Sequence, residues 1–108
     1  MHPPLTRVIL VVCLMARPAE AGYLAIGRGN GSCGAWTTTR RAQQAQGYEQ
    51  WILGFLSGVG WQGAQSGINP LNGLDANGVW AWLDNYCQVH PLDPLVEAAA
   101  ALARAHPR

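Results

Sequence analysis

Lysine is absent from these 108 residues, and charged side chains make up only 12% of them, against about 25% in ordinary domains. So little charge does not describe a disordered, charge-rich tail. Seven arginines against six acids leave a formal charge of +1, so there is no basic surface to neutralise a run of phosphates. Nucleic acid is therefore not the expected partner. Long apolar runs are missing as well. The stretch from Val8 to Ala16 spans only about 14 Å as a helix, roughly half a bilayer core, which makes a membrane span there the weaker reading. No CxxC pair occurs, and the scattered acids form no cluster with metal-ligand spacing. Neither a metal nor any other cofactor is expected.

Catalytic constellations are equally sparse. A hydrolase needs a nucleophile beside a base, or two carboxylates facing one cleft. Ser57 falls on the polar side of a helical pattern. His90 and Asp93 are close enough for a dyad, but the simpler reading makes His90 a helix C-terminal cap and Asp93 the cap of the next helix. An enzyme is not expected.

What is present begins with an address. Residues 1–21 comprise a short n-region with Arg7, the apolar run, and a breaker, Arg17-Pro18, leading to Ala19-Glu20-Ala21. This is the pattern of a secretory signal peptide cut after Ala21. Val12 stands where a lipoprotein signal needs a small residue, so Cys13 is not read as acylated. The expected mature chain, 22–108, carries five arginines and five acids, hence no net side-chain charge. It keeps two cysteines, Cys33 and Cys87. For an even pair in a small exported domain the simplest state is one disulfide, and two buried free thiols are the alternative.

Residues 22–36 read as a glycine-dense lead-in and 37–108 as a helical domain. Gly29-x-Gly31-x-x-Gly34 matches the dinucleotide fingerprint only formally, since no strand-helix-strand unit surrounds it. Asn30-Gly31-Ser32 is a glycosylation sequon, relevant only in a eukaryotic secretory pathway. Thr37, Thr38 and Thr39 offer N-caps for a first helix over 40–61, with Ala45, Tyr48, Trp51, Ile52, Phe55, Leu56 and Val59 on one face. Gly47, Gly54 and Gly58 align along it and imply close approach by another helix. A loop over 62–77 follows, with Asn69-Pro70 and Asn72-Gly73 as turn signals. Asp75 or Asn77 then caps a second helix in which Val79, Trp82, Leu83, Tyr86, Cys87 and His90 recur at three- and four-residue spacing, and which ends at Pro91. Its opposite face holds Ala81, Asp84, Asn85 and Gln88. Asp93-Pro94 starts a third helix to Ala105, with Leu95, Ala98, Ala99 and Leu102 buried. The expected architecture is all-α: three helices braced by one disulfide, behind a cleaved signal peptide.

Five tryptophans, Trp36, Trp51, Trp61, Trp80 and Trp82, are more than so small a core needs. Trp80 and Trp82 flank the second helix's apolar arc, and any tryptophan left exposed would serve as an interaction anchor. Trp61, Trp80 and Trp82 are thus the candidate partner-binding residues.

The segment Trp82-Leu83-Asp84-Asn85-Tyr86-Cys87-Gln88-Val89-His90-Pro91-Leu92-Asp93-Pro94-Leu95 resembles the helix, cysteine and proline-turn pattern of the HdeA/HdeB family of small periplasmic acid-stress chaperones. Leu53-Gly54-Phe55-Leu56 is similar to that family's central helix, and Cys33 and Cys87 would match its disulfide. The resemblance covers about residues 33 to 105. It implies a periplasmic or secreted, non-enzymatic holdase that binds unfolded clients. The family's switch turns a balanced chain strongly cationic in acid. Here five carboxylates and two histidines take the mature side chains from zero to only about +7, a weaker switch. The glycine-bearing helix, His-Pro turn and Ala-rich last helix are also similar to Tai-type immunity proteins. That likeness implies instead an inhibitor of one secreted protein.

Overall fold

The computed structural model describes residues 23–108, so the expected signal peptide, 1–21, lies outside the described residues. Four α-helices account for most of them: α1 (Cys33–Arg41), α2 (Gln46–Gly63), α3 (Ala76–Val89) and α4 (Leu95–Ala105). Short 3-10 turns occupy Arg28–Asn30 and Ala64–Ser66. Among the described residues there is no strand, only an isolated bridge between Ser32 and Pro94.

The expected first helix is two helices. Ser32 Oγ accepts the Ala35 N–H at 3.0 Å, so the N-cap lies well before the threonines. Thr39 is inside α1, with its hydroxyl donating back to the carbonyls of Ala35 and Trp36. α1 therefore crosses the expected boundary between lead-in and helical domain. It closes in a Schellman arrangement: Gln44 N–H reaches Thr39 O at 2.9 Å and Gln43 N–H reaches Arg40 O at 3.1 Å. The left-handed residue of this motif is Gln43, φ 57°, where glycine is usual.

The glycines of α2 also depart from expectation. A Cβ on Gly54 or Gly58 would meet nothing within 4 Å, so no second helix approaches them. The close approach occurs upstream, at Gly29, which is buried beneath the Trp51 ring and has no space for a Cβ. Trp51 Nε1–H donates to Ile26 O at 2.8 Å and pins the lead-in to α2.

α3 begins as expected, with Asp75 Oδ1 accepting Gly78 N–H at 2.7 Å. α4 does not. Pro94 occupies the N-cap without a side-chain cap bond, and the Asp93 carboxylate accepts the Tyr86 hydroxyl instead. The turn before α4 is held by backbone bonds from Cys33 N–H to Asp93 O and from Gly34 N–H to Pro91 O.

The core lies where α4 packs on both α2 and α3 while α1 covers α3. Trp36, Ile52, Leu56, Val79, Leu83, Leu95 and Leu102 fill it, with Ala98 and Ala99 permitting close contact along α4. Cys33 and Cys87 are buried and joined as a disulfide, Cα atoms 4.8 Å apart. The bridge closes a chain segment of sequence separation 54, worth about 4 kcal/mol on the chain-entropy account.

That value is measurable. Replacing the pair by Cys33→Ala with Cys87→Ala should lower the unfolding free energy by about 4 kcal/mol, read from the urea midpoint of the double variant against the oxidised protein. An unchanged midpoint would mean that α1 is held without the bridge.

Candidate functional site

The three candidate tryptophans part company in the folded chain. Trp80 is buried, its ring centroid 5.7 Å from that of Trp36 in a tilted contact. It packs the core and is withdrawn from partner contact, because α1, unforeseen ahead of residue 40, covers its side of α3. Trp82 is partly buried and stacks on Tyr86, centroids 5.6 Å apart. Trp61 remains 82% exposed near the end of α2, lining an open groove with Gln62, Ala64 and Gln65.

Trp61 is one of several large apolar side chains presented to solvent. Leu24 and Ile26 stand out on the lead-in, Val89 at the last residue of α3 and Leu92 on the turn that follows. These positions lie on separate elements, not on one helical stripe.

A second feature centres on Arg40 near the end of α1. Its guanidinium grips Asp84 on α3 through Nε at 3.1 Å and Nη2 at 2.9 Å. Through Nη1 it also reaches Glu49 on α2 at 2.9 Å. One cation therefore ties three helices, and the paired Asp84 hydrogen bonds are the main cause raising its pKa above the ordinary arginine value. Asp84 Oδ1 also accepts the indole N–H of fully buried Trp36 at 2.8 Å. Beside this hub opens a cavity of ≈ 370 Å³ lined by Thr37, Arg40, Arg41, Gln43, Asp84 and Gln88.

None of these cleft residues was a sequence candidate. Asp84 and Gln88 read as the solvent face of α3, because the pattern gave that helix one apolar arc and no partner on its flank. Spacing did carry a signal, since Thr37, Arg40 and Arg41 share one helical face, as Asp84 and Gln88 do.

His90 and Asp93 each engage Tyr86. The His90 ring stacks on Tyr86 with centroids 4.1 Å apart, and its Nδ1 lies 3.0 Å from Tyr86 O. The Asp93 carboxylate accepts Tyr86 O–H at 2.7 Å. That hydrogen bond, with a smaller contribution from burial, raises the Tyr86 pKa above 10. Tyr23 is raised too, first by burial and then by its hydrogen bond to Glu97. Among the described residues no three His, Cys, Asp or Glu side chains are grouped to hold a metal ion.

Two predictions test these contacts. Asp84→Ala should cost about 2 kcal/mol by leaving the buried Trp36 N–H unpaired, and Asp84→Asn, which keeps an acceptor, should cost less than half of that in urea unfolding. Tyrosines whose folded pKa is raised contribute stability that is complete below the unfolded value of about 10 and is lost as pH rises through the folded value. Wild type should therefore lose stability on the alkaline side, and Tyr86→Phe should flatten the urea midpoint against pH there. An equally steep fall in Tyr86→Phe would refute the role of this phenol. Compared with protein-family models, with curated proteins and with solved structures, the chain matches none.

Proposed function

We propose that the chain is an exported, non-enzymatic, holdase-like protein of the HdeA/HdeB type, which contacts unfolded clients through exposed apolar side chains. The observation that carries this reading is the distribution of those side chains. Leu24, Ile26, Trp61, Val89 and Leu92 are each more than 70% exposed and belong to three different parts of the fold. Scattered, individually weak apolar contacts suit an unfolded chain, which offers many short apolar segments. A specific folded partner is recognised through a contiguous patch with a buried centre. The disulfide supports an oxidising compartment, and no described helix is long and apolar enough to cross a membrane. The proposal takes no cofactor and assigns no catalytic residue.

Trp61 is the largest of the exposed side chains and makes the test clean, because truncating it should leave the fold intact. Light scattering of an aggregating periplasmic extract, at neutral pH and in acid, should show suppression by the wild type. Trp61→Ser should suppress about twofold less or worse, at an unchanged urea midpoint. Scattering that the protein leaves unaltered at both pH values would overturn the holdase reading. Nanomolar binding to one folded secreted protein would replace it with the inhibitor reading.

A further inference from the structure

The cleft beside Arg40 lies apart from the exposed tryptophan and is built differently. Its two walls, α1 and α3, are joined by the Cys33–Cys87 bridge. They are joined again by the Trp36 and Arg40 hydrogen bonds to Asp84. Walls fixed at several points hold the backbone of the cleft in place, so binding there has only side chains to order. The volume, ≈ 370 Å³, falls within the range of about 300–1,000 Å³ that holds small molecules.

The charges of the lining select among ligands. The Arg40 cation is engaged by two carboxylates, Asp84 and Glu49, which leave that cluster with one negative charge in excess. Asp84 in turn already accepts three N–H bonds, one from Trp36 and two from Arg40. Arg41 is different. It sits next in the chain, exposed, lines the same cavity, and makes no ion pair among the described residues. The rest of the lining consists of the Thr37 hydroxyl and the amides of Gln43 and Gln88. Gln43 holds its place with a left-handed backbone, φ 57°, at the helix end where glycine would be unstrained.

From this we infer that the cleft is a carboxylate-binding site. The Arg41 guanidinium brings the cluster to neutrality without contacting either acid, and its planar fork is one that a carboxylate fills with two parallel hydrogen bonds. The neighbouring amides and hydroxyl can bond the atoms adjoining the carboxylate. A phosphate dianion fits less well, since Arg40 and Arg41 are already balanced by Asp84 and Glu49 and the Asp84 carboxylate shares the lining. The carboxylate belongs either to a free small acid or to an acidic side chain of a peptide. The inference does not rest on the holdase reading, because Trp61 takes no part in it.

Nitrogen-15 NMR titration of the disulfide-bonded chain tests it with four probes: N-acetylglutamate, its uncharged counterpart N-acetylglutamine α-amide, inorganic phosphate, and a capped alanine-glycine peptide bearing one glutamate. N-acetylglutamate should give saturable shifts centred on Arg41, Gln43 and Gln88, and the neutral amide should give none. Arg41→Gln should weaken binding about tenfold with spectral dispersion retained, and Arg41→Lys should recover only part of it. Gln88→Ala gives a second reading from the opposite wall and should also weaken binding. A peptide that binds about tenfold tighter than N-acetylglutamate would make the ligand an acidic protein segment, and equal affinity would make it a free acid. Equal shifts with the neutral amide, tighter binding of phosphate, or wild-type affinity in Arg41→Gln would overturn the proposal.

Discussion

The covalent tie between Cys33 and Cys87 is the constraint on which the rest of the structure depends. α1 is a helix of nine residues, too short to persist alone in water, and glycine-dense sequence leads into it. Fixing its first residue to the last turn of α3 places Trp36, one turn further on, against Trp80. That contact completes a core which the other three helices would leave open on one side. The backbone bonds from Cys33 and Gly34 to the turn before α4 follow from the same placement. One bridge thereby fixes the position of α1, the sealing of α3 and the geometry of the α3–α4 turn.

At the other end of α1 a polar device continues what the bridge begins. Arg40 meets acids from two further helices, and the indole of Trp36 lends a third donor to Asp84. The two ion pairs are partly solvent-exposed, with side chains 20% to 36% accessible, so their Coulomb energy is heavily screened. Their importance lies in geometry: together with the buried indole N–H they hold α1 at a fixed angle to α3. The cleft exists because the two helices cannot close on each other or drift apart.

Much of this was legible in the residues. The α3 helix, its Asp75 cap, its end near Pro91 and the buried stripe of α4 follow from apolar spacing and breakers, signals that act over a few residues. The cysteine pair followed from counting. The division between α1 and α2 was not legible, because Arg41-Ala42-Gln43-Gln44-Ala45 contains no glycine or proline and all five are compatible with helix. Only tertiary fixing of α1 makes the left-handed Gln43 worth its strain. Ser32 as N-cap was masked by surrounding glycines. The fate of Trp80 depended on α1, so an error about one helix carried over to a site residue on another. Asp93 was misplaced for a related reason, since a carboxylate ahead of a proline is an ordinary cap unless a phenol such as Tyr86 competes for it.

The same contacts show how a chain with so little charge uses what it has. Each of the five acids in residues 23–108 has a structural task. Glu49 and Asp84 hold Arg40, Asp75 caps α3, Asp93 receives Tyr86, and Glu97 receives Tyr23. Hydrogen bonds to a carboxylate are charge-assisted and are the stronger kind, so a single acid can hold two elements together. Glu49 and Asp84 hold α1, while Asp93 and Glu97 hold the α3–α4 turn and the lead-in. The lead-in and the segment around that turn carry Leu24, Ile26, Val89 and Leu92. These exposed apolar residues therefore sit on elements held by polar contacts at the edge of the core, beside a framework in which α1 and α3 are joined covalently.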